Sequence, residues 1–203
     1  MVNRLKNKFS YKDKLYSYYK SLLLHNYNNV NINERTVELP IIHKLYTDSL
    51  NLRILEVENV LKHYYRNLHH DVIDKYEHNK NVINEDIADF KPNKKYDIIF
   101  SISTLEHIGF DEQIKDNNKL IRALQNIKDN ILTKNGIMYF TMPIGYNPFA
   151  DKLIKENFFN EQIYLEKLNK NKYQECMYNE IKDCKYNFSF KFANALVIGK
   201  MTN

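Results

Sequence analysis

Glycine is scarce in this 203-residue chain: only 4 occur, alongside 4 prolines and 2 cysteines. With so little glycine, no Gly-rich turn can present a row of backbone amides to two phosphates, which argues against a nicotinamide-dependent oxidoreductase. Cys176 and Cys184 stand apart in polar surroundings with no C-x-x-C spacing, so two reduced thiols are expected rather than a disulfide or zinc site. No apolar run is long enough to cross a bilayer. The charged opening Met1-Val2-Asn3-Arg4-Leu5-Lys6 leads into neither an apolar signal core nor a small-residue cleavage site, so a cytoplasmic protein without a membrane partner is expected. The net charge of +5 reads as spread along the chain, Lys and Glu interleaved, whereas a nucleic-acid footprint would gather on one face. No nucleic-acid partner is expected. A metal is not expected either: His69 and His70 are adjacent and on a strand would face opposite ways, and His25, His43, His63 and His78 lack partners at ligand spacing.

What the chain does have is one domain's length, 43% hydrophobic residues, and strand signals alternating with helical ones. Residues 11–24 carry Leu15, Tyr18, Tyr19, Leu22 and Leu23 at helical spacing, and 25–33 reads as an Asn-rich loop. Residues 33–45 read as helix on both sides of Pro40, with a kink or restart there. Strands are expected at 52–57, 71–74, 81–84, 97–102, 137–142, 162–168 and 193–199. Helices are expected at 60–68, with Asn59 as N-cap, at 119–132 and near 149–156. Leu120, Ile121, Leu124, Ile127 and Ile131 should share the buried face of the second, and Gly136 should be a left-handed residue closing it. The polar segment holding both cysteines is left without a strand. This alternation predicts a single Rossmann-like, doubly wound domain with a mostly parallel sheet covered on both faces, residues 1–50 adding N-terminal helices to a core at 51–203.

The run Tyr96-Asp97-Ile98-Ile99-Phe100-Ser101-Ile102 ends abruptly in Ser103-Thr104-Leu105-Glu106-His107-Ile108-Gly109. Polar groups at the carboxyl end of a buried strand are candidates for chemistry. The stretch resembles the fourth strand and following loop of class I S-adenosylmethionine-dependent methyltransferases. The nearest resemblance is to small bacterial and archaeal members, many linked to surface-sugar metabolism. Leu55-Glu56-Val57, Asp74, Asn84-Glu85-Asp86-Ile87 and Pro143-Ile144-Gly145-Tyr146-Asn147-Pro148 extend the resemblance over residues 34–199.

The resemblance implies S-adenosylmethionine as cofactor and a small-molecule, sugar-like acceptor methylated at oxygen. It implies that Glu56 orients the cofactor's amino group, and that Glu58 and Asn59 form the loop beside its methionine carboxylate. Glu58 departs from the pattern, since the family has glycine there. Asp74, 18 residues after Glu56, lies near the spacing at which an acid meets ribose hydroxyls. Tyr76 packs against adenine or caps the core. Asp86 and Ile87 match the residues that hold the adenine amino group and touch its ring, and Ser103 lies under the sulfur end. His107 is the candidate base, because histidine suits proton removal near neutrality. Glu106 orients it or contacts substrate. Tyr146 is a candidate lid or substrate residue, and Arg35, in a Glu34-Arg35-Thr36-Val37-Glu38 run, a candidate anion contact. The loop after the fourth strand lacks the D/N-P-P-Y/F stretch that stacks a flipped base, which argues against nucleobase amines as acceptors. A catalytically silent methyltransferase-like domain serving as a partner protein is the alternative, favoured by Glu58.

Overall fold

A computed structural model describes residues 29–30 and 32–203. The helix expected at 11–24 and most of the loop at 25–33 lie outside the described residues. In chain order come α1 (Arg35–Thr47), β1 (Ile54–Val57), α2 (Leu61–Tyr64), β2 (Asp71–Ile73) and β3 (Tyr96–Ile102). A 3-10 turn (Leu105–His107), α3 (Asn117–Asn126) and a π turn (Ile127–Ile131) precede β4 (Leu132–Pro143). The chain continues through α4 (Pro148–Lys155), β5 (Glu161–Asn169), β6 (Lys172–Cys176), α5 (Tyr178–Ile181) and β7 (Ala195–Thr202).

Seven strands form one sheet in the order β2-β1-β3-β4-β7-β5-β6. The first four are mutually parallel, and β7 runs antiparallel between β4 and β5. The sheet is therefore mixed. Alternate residues of the central strands face opposite layers, as the two-residue period of a strand requires. Leu55, Val57 and Ile99 join α3 and α4 in one core, while Ile54, Ile98, Phe100 and Ile102 join α1 and Leu61 in the other. This two-sided burial explains why β1 and β3 read as continuous apolar runs. It is the Rossmann-like, doubly wound architecture.

From β1 the chain steps outward to β2, then returns to the other side of β1 to lay down β3 and β4. The crevice over the carboxyl ends of β1 and β3 is thus the topological switch point, where open α/β sheets bind ligands.

Several expected elements differ. Residues 81–84 contribute only a single bridge, Ile83 to Ile73, because Asn84 turns its amide onto the carbonyls of Asp74, Lys75 and Glu77. A side chain, not a ladder, holds that stretch. The helix expected at 60–68 is only one turn, its N-cap position is Val60 rather than Asn59, and the cap comes from Glu56. The helix expected at 119–132 runs from Asn117 to Ile131 but widens into the π turn after Asn126, whose side-chain amide reaches the Ile87 and Phe90 carbonyls, and Ile121 lies off the buried face. Gly136 lies inside β4 without a positive φ: Asn203 donates to Leu132 and Thr133 carbonyls and extends the strand past the expected turn. Pro40 sits inside one uninterrupted helix. The polar cysteine-bearing segment forms β6 and α5, and both thiols are free.

Candidate functional site

The cavity over the switch point is lined by Val57, Ile73, Ile87, Thr104 and Ile108, with Glu58, Asp74, Tyr76, His107 and Asp111 around its rim. Both strand ends beneath it turn sharply. Glu58 follows β1 with φ 63° and Ser103 follows β3 with φ 42°. A left-handed residue with a Cβ costs about 1–2 kcal/mol, so these are positions where glycine would be at ease. The chain keeps the backbone conformation of a glycine turn while carrying a glutamate in it.

Glu58 donates its N–H to the Ile73 carbonyl (2.8 Å), and its carboxylate accepts from the Thr104 hydroxyl (3.1 Å). Burial raises its pKa, against the pull of His107 and Thr104. Glu56 points away from the cavity. One of its oxygens accepts from the N–H groups of Val60 (3.1 Å) and Leu61 (2.7 Å), and the other pairs with His70 Nε2 (2.7 Å) inside the protein. Asn59 also faces away, donating to Glu77 (3.1 Å) from a separate groove.

Asp74 closes β2 at the cavity edge. Its Oδ1 accepts from the N–H groups of Tyr76 (2.8 Å) and Glu77 (2.9 Å), which fixes the carboxylate's orientation. Tyr76 is mostly exposed at the mouth rather than packed in the core. Ile87 forms an apolar wall. Asp86 lines the same wall, but its oxygens are engaged by the Ala88 N–H (3.0 Å), Lys75 (3.1 Å) and Lys119 (2.5 Å). Although burial pulls its pKa upward, these partners bring it below the usual carboxylate range. Lys75 and Lys119 also pair with Glu112, closing a four-membered ion cluster beside the cavity.

His107 lies on the opposite rim. Its Nδ1 pairs with Asp111 Oδ2, and that same oxygen accepts from the Tyr146 hydroxyl (2.7 Å). Burial pulls the Asp111 pKa up, but His107 and Tyr146 outweigh it and hold the group low. The Tyr146 ring meets His107, Phe110 and Tyr186 edge-on at 5.0, 5.9 and 5.0 Å. It is a packing residue over the histidine and does not line the cavity. Asp111 went unread in the sequence, although it stands four residues after His107, a spacing at which side chains meet across one turn.

Behind His107 lies an acidic interior. Glu34, Glu38 and Glu106 are buried around Arg35, whose guanidinium donates to Glu38 (2.9 Å) and to the Ile102 carbonyl (2.9 Å). Ser103 donates its hydroxyl to Glu38 and so turns away from the cavity. Glu106 Oε1 lies 3.7 Å from His107 Nε2, and its Oε2 has no hydrogen-bond partner. Complete burial drives the Glu106 pKa well up, and burial followed by the Glu38 charge raises that of Glu34. Of the residues singled out in the sequence, Glu58, Asp74, Tyr76, Asp86, Ile87 and His107 share the cavity. Glu56, Asn59, Ser103, Glu106, Tyr146 and Arg35 stand around or behind it. Among the described residues no group of three or more His, Cys, Asp or Glu side chains is arranged to hold a metal.

Fold and site together define an α/β domain whose switch-point cavity has apolar walls, an oriented acid at one end and a histidine at the other. No family model matches the chain, and no curated protein matches it. Among solved structures it is similar to the N-methyltransferase NodS of Bradyrhizobium japonicum WM9 in complex with S-adenosyl-L-homocysteine. The TM-score there is 0.49 at 11% identity, covering 94% of this chain and 98% of that one. It is also similar to S-adenosylmethionine-dependent methyltransferases from Thermotoga maritima and Clostridium acetobutylicum. These score 0.42 and 0.41 at 12% and 11% identity, covering 76% and 79% of this chain and 86% and 88% of theirs.

Proposed function

We propose that this chain is an S-adenosylmethionine-dependent methyltransferase of class I that methylates a small, sugar-like acceptor at oxygen. The observation that carries the reading is the pairing, across one apolar cavity, of an oriented Asp74 with a histidine held by Asp111. Asp74 Oδ1 is fixed by two backbone amides, which aims the carboxylate at a ribose, and Ile73, Ile87 and Tyr76 offer apolar surface to a purine. The nucleoside half of the cofactor therefore fits the residues present. When bound, the cofactor supplies an electrophilic methyl group on a sulfonium.

The chain's own contribution is positioning and proton removal. With Nδ1–H donating to Asp111, Nε2 of His107, 3.7 Å from Glu106 Oε1, is the ring nitrogen left to take the proton of the acceptor hydroxyl. Asp111 is a positioning residue that fixes the tautomer, and Tyr146 steadies it by donating its hydroxyl to the same carboxylate. Radiolabelled S-adenosylmethionine with a panel of sugars and sugar nucleotides tests this. His107→Ala should lose at least about 100-fold in transfer while cofactor affinity stays within twofold. Unchanged turnover would remove His107 from the reaction.

A catalytically silent domain is the second reading, and Glu58 in the glycine position is the observation that favours it. Turnover of no acceptor together with no cofactor binding would decide for it. A cytoplasmic location belongs to the same proposal; among the described residues no helix is long and apolar enough to cross a membrane.

A further inference from the structure

In the order β2-β1-β3, the end of β1 lies between Asp74 at the end of β2 and His107 beyond β3. A 5′ substituent directed from a ribose on Asp74 toward His107 would therefore cross Glu58. An amino-acid arm there needs an acceptor for its ammonium and donors for its carboxylate.

Glu58 itself is an acceptor within reach of the ammonium, but donors for the carboxylate are not prepared. Glu56, the acid closing β1, has both oxygens engaged by Val60, Leu61 and His70. Three of the turn's amides, which in a glycine-rich loop would meet an anion, are also engaged. Glu58 N–H bonds the Ile73 carbonyl, and those of Val60 and Leu61 bond Glu56. In effect the protein's own Glu56 occupies the amides that a ligand carboxylate would use.

The cations nearby are committed as well: Lys75 to Asp86 and Glu112, His107 to Asp111, and Arg35 to Glu38. Glu58 adds bulk and an acid at the crossing point, where the Asp74 charge also acts, and both oppose a ligand carboxylate.

Building on the adenosine reading of this cavity, we infer that the site prefers adenosine thioethers that lack an amino-acid arm, of the 5′-methylthioadenosine type, over those that carry one. Such a nucleoside would compete with S-adenosylmethionine for the same cavity.

Titration calorimetry with 5′-methylthioadenosine and S-adenosylhomocysteine isolates the arm, since both are uncharged at sulfur and share the nucleoside. In the wild-type chain 5′-methylthioadenosine should bind at least as tightly as S-adenosylhomocysteine. Glu58→Gly, which suits a φ of 63°, should shift the ratio of the two affinities at least tenfold toward S-adenosylhomocysteine. Tighter wild-type binding of S-adenosylhomocysteine, or a ratio that Glu58→Gly leaves in place, overturns the inference and leaves the adenosine reading standing. Binding of neither nucleoside at millimolar concentration overturns both.

Discussion

Glu106 has a carboxyl oxygen without a partner in the interior, an arrangement that favours the protonated acid. Burial raises its folded pKa above the ordinary 4.5, so the folded chain holds this proton more tightly than the unfolded one. The resulting stability is fully present below the unfolded pKa and is lost as pH rises through the folded one. Glu106→Gln mimics the neutral acid and removes that loss. Thermal melts of wild type and variant should therefore separate progressively as pH is raised from about 4.5 to about 8, the variant ending higher. Each kcal/mol recovered corresponds to about 2–4 °C in a chain of this size. Curves that stay parallel would mean that Glu106 titrates normally. The same acid reads in the sequence as an orienter of His107 or a substrate contact. The residue that holds Nδ1 is Asp111, and nothing in the apolar pattern of residues 96–109 could show it, because Asp111 lies past the turn.

Between strands, the loop from β4 to α4 is fastened at both ends. Asn147 caps α4 through the N–H groups of Phe149 and Ala150 and donates to the Glu106 carbonyl (2.8 Å), tying the two strand-end loops together. Gly145, at φ 83°, gives its N–H to Asp151, and a Cβ there would lie 2.2 Å from the Cys184 carbonyl. Gly145→Ala should lower stability by about 2 kcal/mol or more, read as a fall of roughly 4–8 °C in Tm. No fall would mean that the Cys184 segment does not pack there. Burial lifts Asp151 to about 6 against the pull of that N–H. Its contribution is present below the ordinary 3.8 and is lost as pH rises through about 6. Asp151→Asn should thus gain on wild type between about pH 4 and pH 7; a gap in Tm that is the same at both ends contradicts this.

Elements whose pattern comes from two-sided burial, β1, β3, β4 and β7, were legible because their apolar runs have one explanation. The stretch at 81–84 was not. There Asn84 overrides local preference by bonding backbone carbonyls, and an asparagine's partner is invisible in a sequence rich in asparagine. Strand β6 was hidden for a different reason: as an edge strand it buries Tyr173 and little else.

Across the whole molecule, the scarcity that marks the sequence also marks the site. Among the described residues seven non-glycine residues adopt positive φ, and four of them are asparagines, the residue that tolerates this region next best after glycine. Glu58 and Ser103 are the exceptions at the switch point. Charge is also less even than it reads: the first 28 residues hold six Lys or Arg against one Asp, so the remainder is close to neutral. The cavity itself is bordered by six carboxylates, of which Asp74 is the one oriented by two backbone amides at the end of β2. The account depends on that orientation serving a ribose. Asp74→Asn retains an Oδ1 for the Tyr76 and Glu77 amides while removing the charge offered to hydroxyls. Calorimetric titration of S-adenosylmethionine, carried to millimolar concentration, into wild type and Asp74→Asn should show binding that weakens at least tenfold, as expected for losing charged hydrogen bonds of about 1.5–3 kcal/mol. Equal affinity in the two proteins would contradict the account.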